Sequence, residues 1–299
     1  MSEPISTAVT GVAVAAGKEI TATASKGIGQ TVSDIWYVVF GAKWDEERQK
    51  KQIEVANNVD KFKEEITNKS TKILDENRIE PDVEVIGSTL ESAKFRINKD
   101  EIRDMFSNLI VSAMDSSKAN DIHPSFSEMI KMLSPLDAQN LYSLYHGGDE
   151  TISKFRVTNK ENDNYTDHFN HVFLGNPECQ DNNLIESSID NLIRLKLVDV
   201  SYSEYKSDDS LYDKHRENEL FLKFKTEQEE LQQHNTTLLN FLLNGGLLTD
   251  ADTNVPLPAS VQENYLNQLK QVVQEKEIEV VKGIIQLTAF GKNFCKVCL

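Results

Sequence analysis

Ser134-Pro135-Leu136-Asp137 leaves this chain less freedom than any other stretch of it. A serine before a proline, with an acid three positions on, predicts a helix start. Ser134 takes the N-cap, Pro135 the first helical position, where its missing N–H costs nothing, and Asp137 is placed for a capping-box contact. Leu136, Leu141, Leu144 and Tyr145 are expected on the buried side, and Gly147-Gly148 ends the helix where left-handed dihedrals are cheap. Just upstream, Pro124 breaks what precedes it. Ser125 can cap a short helix with Phe126, Met129, Ile130 and Leu133 on its apolar face. Residues 123–148 therefore read as two helices in tandem, which describe a fold and display no chemistry.

Helical periodicity extends upstream. Ile53, Ala56, Val59, Phe62, Ile66 and Ile73 line a charged helix expected over 45–77, and Val83, Ile86, Leu90 and Ala93 line a second over 82–95. A third, with Ile102, Met105, Phe106, Leu109, Ile110 and Ala113 as its stripe, should be capped by Asn98 and carries Asp100 and Glu101 in its positive first turn. After Gly148 the texture changes. Ile152, Phe155 and Val157 alternate as in a short strand, and 159–164 is a polar loop. Ile185, Ile189, Leu192, Ile193 and Leu195 predict a helix, followed by a strand through Leu197, Val198, Val200 and Tyr202. Val280, Val281, Ile284, Ile285 and Leu287 suit a returning arm with a turn expected at Gly283. A helix through Phe290, Phe294 and Val297 then begins at Thr288 or Ala289.

Helix, strand, returning strand and helix is the order of a winged-helix domain. The expected fold is mainly α with a small β component: an N-terminal helical region, then a winged-helix-like C-terminal domain with a long insertion. The expected division is 1–44, 45–148 and 149–299, with the insertion at about 206–275. That insertion holds an acidic helical stretch, a Gly245-Gly246 break and a loop with Pro256 and Pro258, and it is a candidate partner surface.

Residues 5–42 differ from everything after them, with only Lys18, Glu19, Lys26 and Asp34 charged. Gly17, Thr21, Ser25, Gly29 and Ser33 recur every fourth residue beside a broad apolar face, a spacing that lets two helix backbones approach closely. Trp36, Tyr37 and Trp44 would suit a bilayer interface. The plainer alternative is a buried hairpin or a β-tending cover for the core. Gly17, Thr21, Ser25, Gly29, Trp36 and Trp44 are the candidate interaction residues, for membrane or for a second helix.

The net charge of −16 opposes bulk attraction to DNA, RNA or anionic lipid, so nucleic acid is not the expected partner. Three cysteines, Cys179, Cys295 and Cys298, make a disulfide framework unexpected and a reducing compartment the default. Neither a secretory signal nor an uncharged run of the ~18 residues needed to span a bilayer is read from the sequence. The expected location is cytoplasmic, with peripheral contact at the inner face of the cell membrane as the alternative.

Three blocks carry a resemblance: EIRDMFSNLIVSAMD (101–115), HPSFSEMIKMLSPLDA (123–138) and LTAFGKNFCKVC (287–298). Together they resemble the bacterial abortive-infection alpha family over roughly 45–299, with gaps. The family motif falls on His123, Pro124, Phe126, Leu133, Ser134, Pro135, Asp137, Leu287, Thr288, Gly291 and Phe294. The resemblance implies a part in defence against phage. It implies no enzymatic activity and supplies no catalytic residues to carry over.

The remaining constellations are sparse. His168, His171, Cys295 and Cys298 have the ligand types of a zinc site, but their spacing matches no finger, and core and surface thiols are the simpler reading. His123 before a proline at a helix entry suits a loop contact better than a base. Hydrolase, P-loop, metalloprotease and paired-carboxylate signatures are not found, so no catalytic residue, cofactor or metal is expected. In the segment 201–280, where a wing would lie, fifteen acids face seven bases, the wrong balance for DNA. The expected function is therefore a phage-defence protein acting through a protein partner or self-association, with membrane contact through 5–42 as a further route. Enzyme activity is left open and not favoured. A winged-helix DNA-binding regulator and a nuclease-type toxin built from scattered acids are the alternatives.

Overall fold

The computed structural model describes residues 52–299. The segment 5–42, with Gly17, Thr21, Ser25, Gly29 and Trp36, and also Trp44, lies outside the described residues. The described chain is mainly helical with a small four-stranded antiparallel sheet. Its residues group into two compact units. One takes in the described residues up to Gly148, Ser187–Asp199 and Gln286–Leu299; the other takes in Asp149–Glu186 and Val200–Ile285.

The helical unit is built on α1 (Gln52–Ser70), α2 (Val83–Ala93), α3 (Asp100–Ala113), α4 (Phe126–Met132) and α5 (Pro135–Gly147). The helix α3 lies at its centre, packing against α1, α2, α4, α5 and the helix Ala289–Cys298. Its stripe of Ile102, Met105, Phe106, Leu109 and Ile110 is almost wholly sealed from solvent. Each such side chain contributes about 1.5–3 kcal/mol. Arg103 is also buried there, joining Glu65 of α1 and Asp100 at 2.8 Å each. Asp82 caps α2 by accepting the Glu84 N–H.

Several local expectations need correction. The first helix ends at Ser70, not Asn77; a short 3-10 turn at Asp75–Asn77 follows, although Ile73 is buried as expected. Of the expected caps, Asn98 is displaced by Lys99, which precedes α3 without a side-chain cap, and Ser125 precedes α4 but makes no capping hydrogen bond. Tyr145 is exposed, because the buried side of α5 instead carries Asp137, Ala138 and Asn140 beside Leu141 and Leu144. Gly283 makes no turn: it lies inside one unbroken strand.

The sheet runs in the order β2-β1-β4-β3, with β1 Glu150–Asn159, β2 Tyr165–Phe173, β3 Val198–Ser201 and β4 Lys276–Leu287. The helix α6 (Asn182–Arg194) leads into β3. The hairpin β1-β2 pairs Thr158 with Tyr165 and Ile152 with Phe173, with irregular register around Phe155. On the other side of β1, β4 pairs in continuous antiparallel register from Glu150↔Ile285 to Asn159↔Lys276. Gly283 sits opposite Ile152, and a Cβ there would come within 2.6 Å of the Ser201 carbonyl oxygen. The glycine serves close approach of two backbones.

Between β3 and β4 the chain forms α7 (Asp213–Arg216), α8 (Glu219–Leu243) and α9 (Ala259–Val272). Phe221 and Phe224 at the start of α8 close a core with Phe155, Val157 and Val172. The end of α8 is set by Gly245, with φ +85°, and by Gly246, whose N–H reaches back to Phe241. The helix Ala289–Cys298, α10, completes the order.

Candidate functional site

The family-motif residues converge within the helical unit. Phe126 of α4 meets Phe290 and Phe294 of α10 edge to face, at 5.6 and 5.1 Å between ring centres. His123 adds a third edge contact to Phe290 at 5.4 Å. Its Nδ1 accepts the Ser125 N–H at 3.2 Å and also meets the Ser125 hydroxyl at 2.8 Å, so this histidine organises the entry to α4. Offset and edge-on ring pairs of this kind add about 0.5–1.5 kcal/mol beyond their burial.

Thr288 and Gly291 dock α10. The Thr288 hydroxyl accepts the Gly291 N–H at 2.8 Å and donates to the Lys196 carbonyl at 2.6 Å. The Thr288 N–H reaches the Leu197 carbonyl at 3.1 Å. A Cβ at Gly291 would fall 1.9 Å from that Leu197 oxygen, so no other residue fits without moving backbone. Leu133, Leu287 and Phe294 are buried around this junction.

Asp137 forms the polar centre. Its carboxylate accepts the Ser134 N–H at 2.7 Å while the Ser134 hydroxyl accepts the Asp137 N–H at 3.1 Å, which completes the capping box. The same carboxylate accepts from the Ser188 hydroxyl at 2.5 Å and the Asn191 amide at 2.8 Å. Asn140 donates to Ser188, and Asn191 also reaches the Met132 carbonyl. Asp137 is 2 % exposed. A carboxylate so enclosed, with neutral donors on both oxygens, clamps α5 to α6; it has no open face for a substrate. Nearby, the Ser92 hydroxyl holds Glu128 below the ordinary carboxylate range, with Lys131 adding to the effect.

The sheet unit has its own buried polar centre, which the sequence did not reveal. His215 of α7 is fully buried, with Nδ1 at 2.9 Å from the Ser153 hydroxyl and Nε2 at 3.0 Å from the Thr151 hydroxyl. Burial, reinforced by Lys214, pushes its pKa down to about 4. Serine beside histidine is the pairing of a nucleophile and its base, but Ser153 is as fully buried as the ring. The neutral imidazole serves as a two-ended clamp between β1 and α7. Tyr212 is a second clamp, donating to the Gly283 carbonyl at 2.8 Å and accepting the Lys206 N–H at 3.1 Å.

The suggested zinc ligands have other roles. His168 lies against the Phe224 ring and His171 meets the Tyr202 hydroxyl, both from β2. Cys295 and Cys298 are buried in α10, and burial pushes the Cys295 thiol up to about 12. Among the described residues no group of three or more His, Cys, Asp or Glu side chains could hold a metal ion. A cleft of about 560 Å³ lies between α8 and strands β1 and β4, walled by Lys160, Lys225, Glu229, Gln232 and Lys276. No helix among the described residues is long and apolar enough to cross a membrane.

Fold and motif geometry together define a class: a mainly helical protein whose signature residues build packing and caps. A family model described as abortive infection alpha matches residues 54–298, and the chain belongs to that family. No curated protein and no solved structure matches it.

Proposed function

We propose that the protein is a phage-defence factor of the abortive-infection type that works by binding other macromolecules and not by catalysis. Family membership carries this reading. It is supported by the motif residues themselves: Phe126, Asp137, Thr288, Gly291 and Phe294 are spent on ring contacts, caps and helix docking. In this reading the protein is cytoplasmic. Residues 5–42 are the effector or self-associating segment, at the inner face of the membrane when they engage it, and the acidic body holds a partner.

The test is phage challenge of cells expressing the full chain, the chain lacking 1–42, and a Ser153→Ala, His215→Gln double variant. Protection should survive the double variant and disappear with the deletion. Protection lost with the double variant, in a protein that still folds, would return Ser153 and His215 to a catalytic role. Protection unchanged by the deletion would end the effector assignment.

The winged-helix reading of 149–299 is supported by α6 leading into β3, by β4 beside β3, and by α10 after it. Glu186 and Asp190 beside Arg194 on α6 argue against its use on DNA. A gel shift at low salt, lost with Arg194→Ala and Lys196→Ala, would reverse that view.

A further inference from the structure

The arm formed by α8 and α9 carries an apolar flank that its own unit does not cover. The two helices run antiparallel: Gln232 in mid-α8 donates to the Gln274 carbonyl just past α9, and Gln262 near the start of α9 accepts the Leu248 N–H just past α8. Their shared seam is made by half-buried Asn235, Leu239 and Leu242 on α8, and by Leu266 and buried Leu269 on α9. At ~100° per residue, Leu231, Leu238 and Phe241 form a second stripe about 80° wide on α8, and Val261, Tyr265 and Val272 form one about 40° wide on α9. Both stripes are rotated from the seam in the same sense. Because the helices are antiparallel, both therefore lie on one side of the arm. Apart from half-buried Leu238, these residues are 41–51 % exposed.

We propose that this flank is the interface between two copies of the chain, which pair their arms as a four-helix bundle. Charge selects the occupant. The chain carries −16, yet between Leu231 and Val272 only Asp250, Asp252, Glu263 and Lys270 are charged. Two copies repel over most of their surface and least where the arms meet. Between Leu231 and Val272 a strongly acidic or basic partner would find little to pair with. A lipid surface would want a rim of lysine and arginine, and between Leu231 and Val272 Lys270 is the one lysine or arginine. The α9 stripe is edged by amide, with Asn264, Gln268 and Gln271 all exposed, and on α8 exposed His234 and Thr237 lie on and beside the stripe. An amide both donates and accepts, so a face of amides and leucines is complementary to itself, as a two-fold interface requires. The inference stands on the arm's surface alone and is independent of the defence reading; dimerisation and protection can fail separately.

The test is sedimentation equilibrium of the purified full chain across the micromolar range, with circular dichroism to confirm folding. A concentration-dependent dimer is expected, little changed by high salt because no ion pair holds it. Tyr265→Glu and Phe241→Glu should each weaken it about tenfold or more. Leu222→Glu, on the opposite flank of α8, should leave it unchanged. A monomer at all concentrations overturns the proposal. So does a dimer indifferent to both substitutions, which would place the contact elsewhere in the chain. Flotation with anionic phosphatidylglycerol vesicles that Tyr265→Glu abolishes would assign the flank to lipid and overturn it too.

Discussion

In the helical unit Phe126, Phe290 and Phe294 meet edge to face and Leu133, Leu141 and Leu144 are sealed, whereas along the α8–α9 arm Leu231, Phe241 and Tyr265 face solvent. The helical unit surrounds its buried polar group, Asp137, with donors. The arm leaves its amides exposed. Where apolar and polar groups satisfy one another internally, the surface is spent and the residues serve stability. Where they remain outward, the same residue types are available to a partner.

Glycine gives the sharpest way to break the contrast. Gly291→Ala drives a Cβ into a backbone carbonyl of the helical unit, and we expect a loss above about 3 kcal/mol or failure to fold, read by thermal unfolding. The second largest effect belongs to the sheet unit. The folded pKa of His215, about 4, lies below its ordinary 6.5, so the native state holds fewer protons than the unfolded chain. The stability it contributes is complete above about pH 6.5 and drains away as pH falls toward 4, by about 3 kcal/mol in all. His215→Gln should flatten urea midpoints over that window relative to wild type; parallel curves would mean that other groups carry the acid sensitivity.

Asp137→Ala comes next. It leaves the Ser188 hydroxyl, the Asn191 amide and the Ser134 N–H without their acceptor, at about 2–3 kcal/mol. Asp137→Asn, which keeps one carbonyl oxygen, should lose less. Gly246→Ala is expected to be smallest. Its added Cβ also overlaps something at 2.5 Å, but that something is the half-exposed ring of Phe241, which can swing aside. Less than about 1 kcal/mol should be lost, and a larger loss would show the arm to be as tightly packed as the helical unit.

Signals confined to a few adjacent residues were legible in the sequence. The Ser134–Asp137 box and the Gly148 stop at φ +79° needed only local spacing, and each forms; the last helix begins where expected, after Thr288, while the caps expected at Asn98 and Ser125 do not form. Signals that depend on distant partners were not. The strand β2 is written in Asp, His and Asn, poor strand formers, because Asp167 is held by Arg156 and Lys154 on the neighbouring strand. Tyr145 was expected inside because it is apolar at the right period, but Asp137 and Asn140 took that face through Ser188 and Asn191. Gly283 suggested a turn, yet its reason is a carbonyl contributed from Ser201. His215, in the highly charged DKHR, announced nothing of its burial.

The way the helical unit is threaded bears on how the protein comes into being. Phe126 needs Phe290 and Phe294, and the turn at Lys196 and Leu197 needs Thr288, so the unit cannot close until residues 286–298 have left the ribosome. A nascent chain stalled anywhere before that point holds an open, sticky half-core and invites chaperones or proteases. Completion of the chain, and not any earlier stage of its synthesis, is thus the event that seals this core.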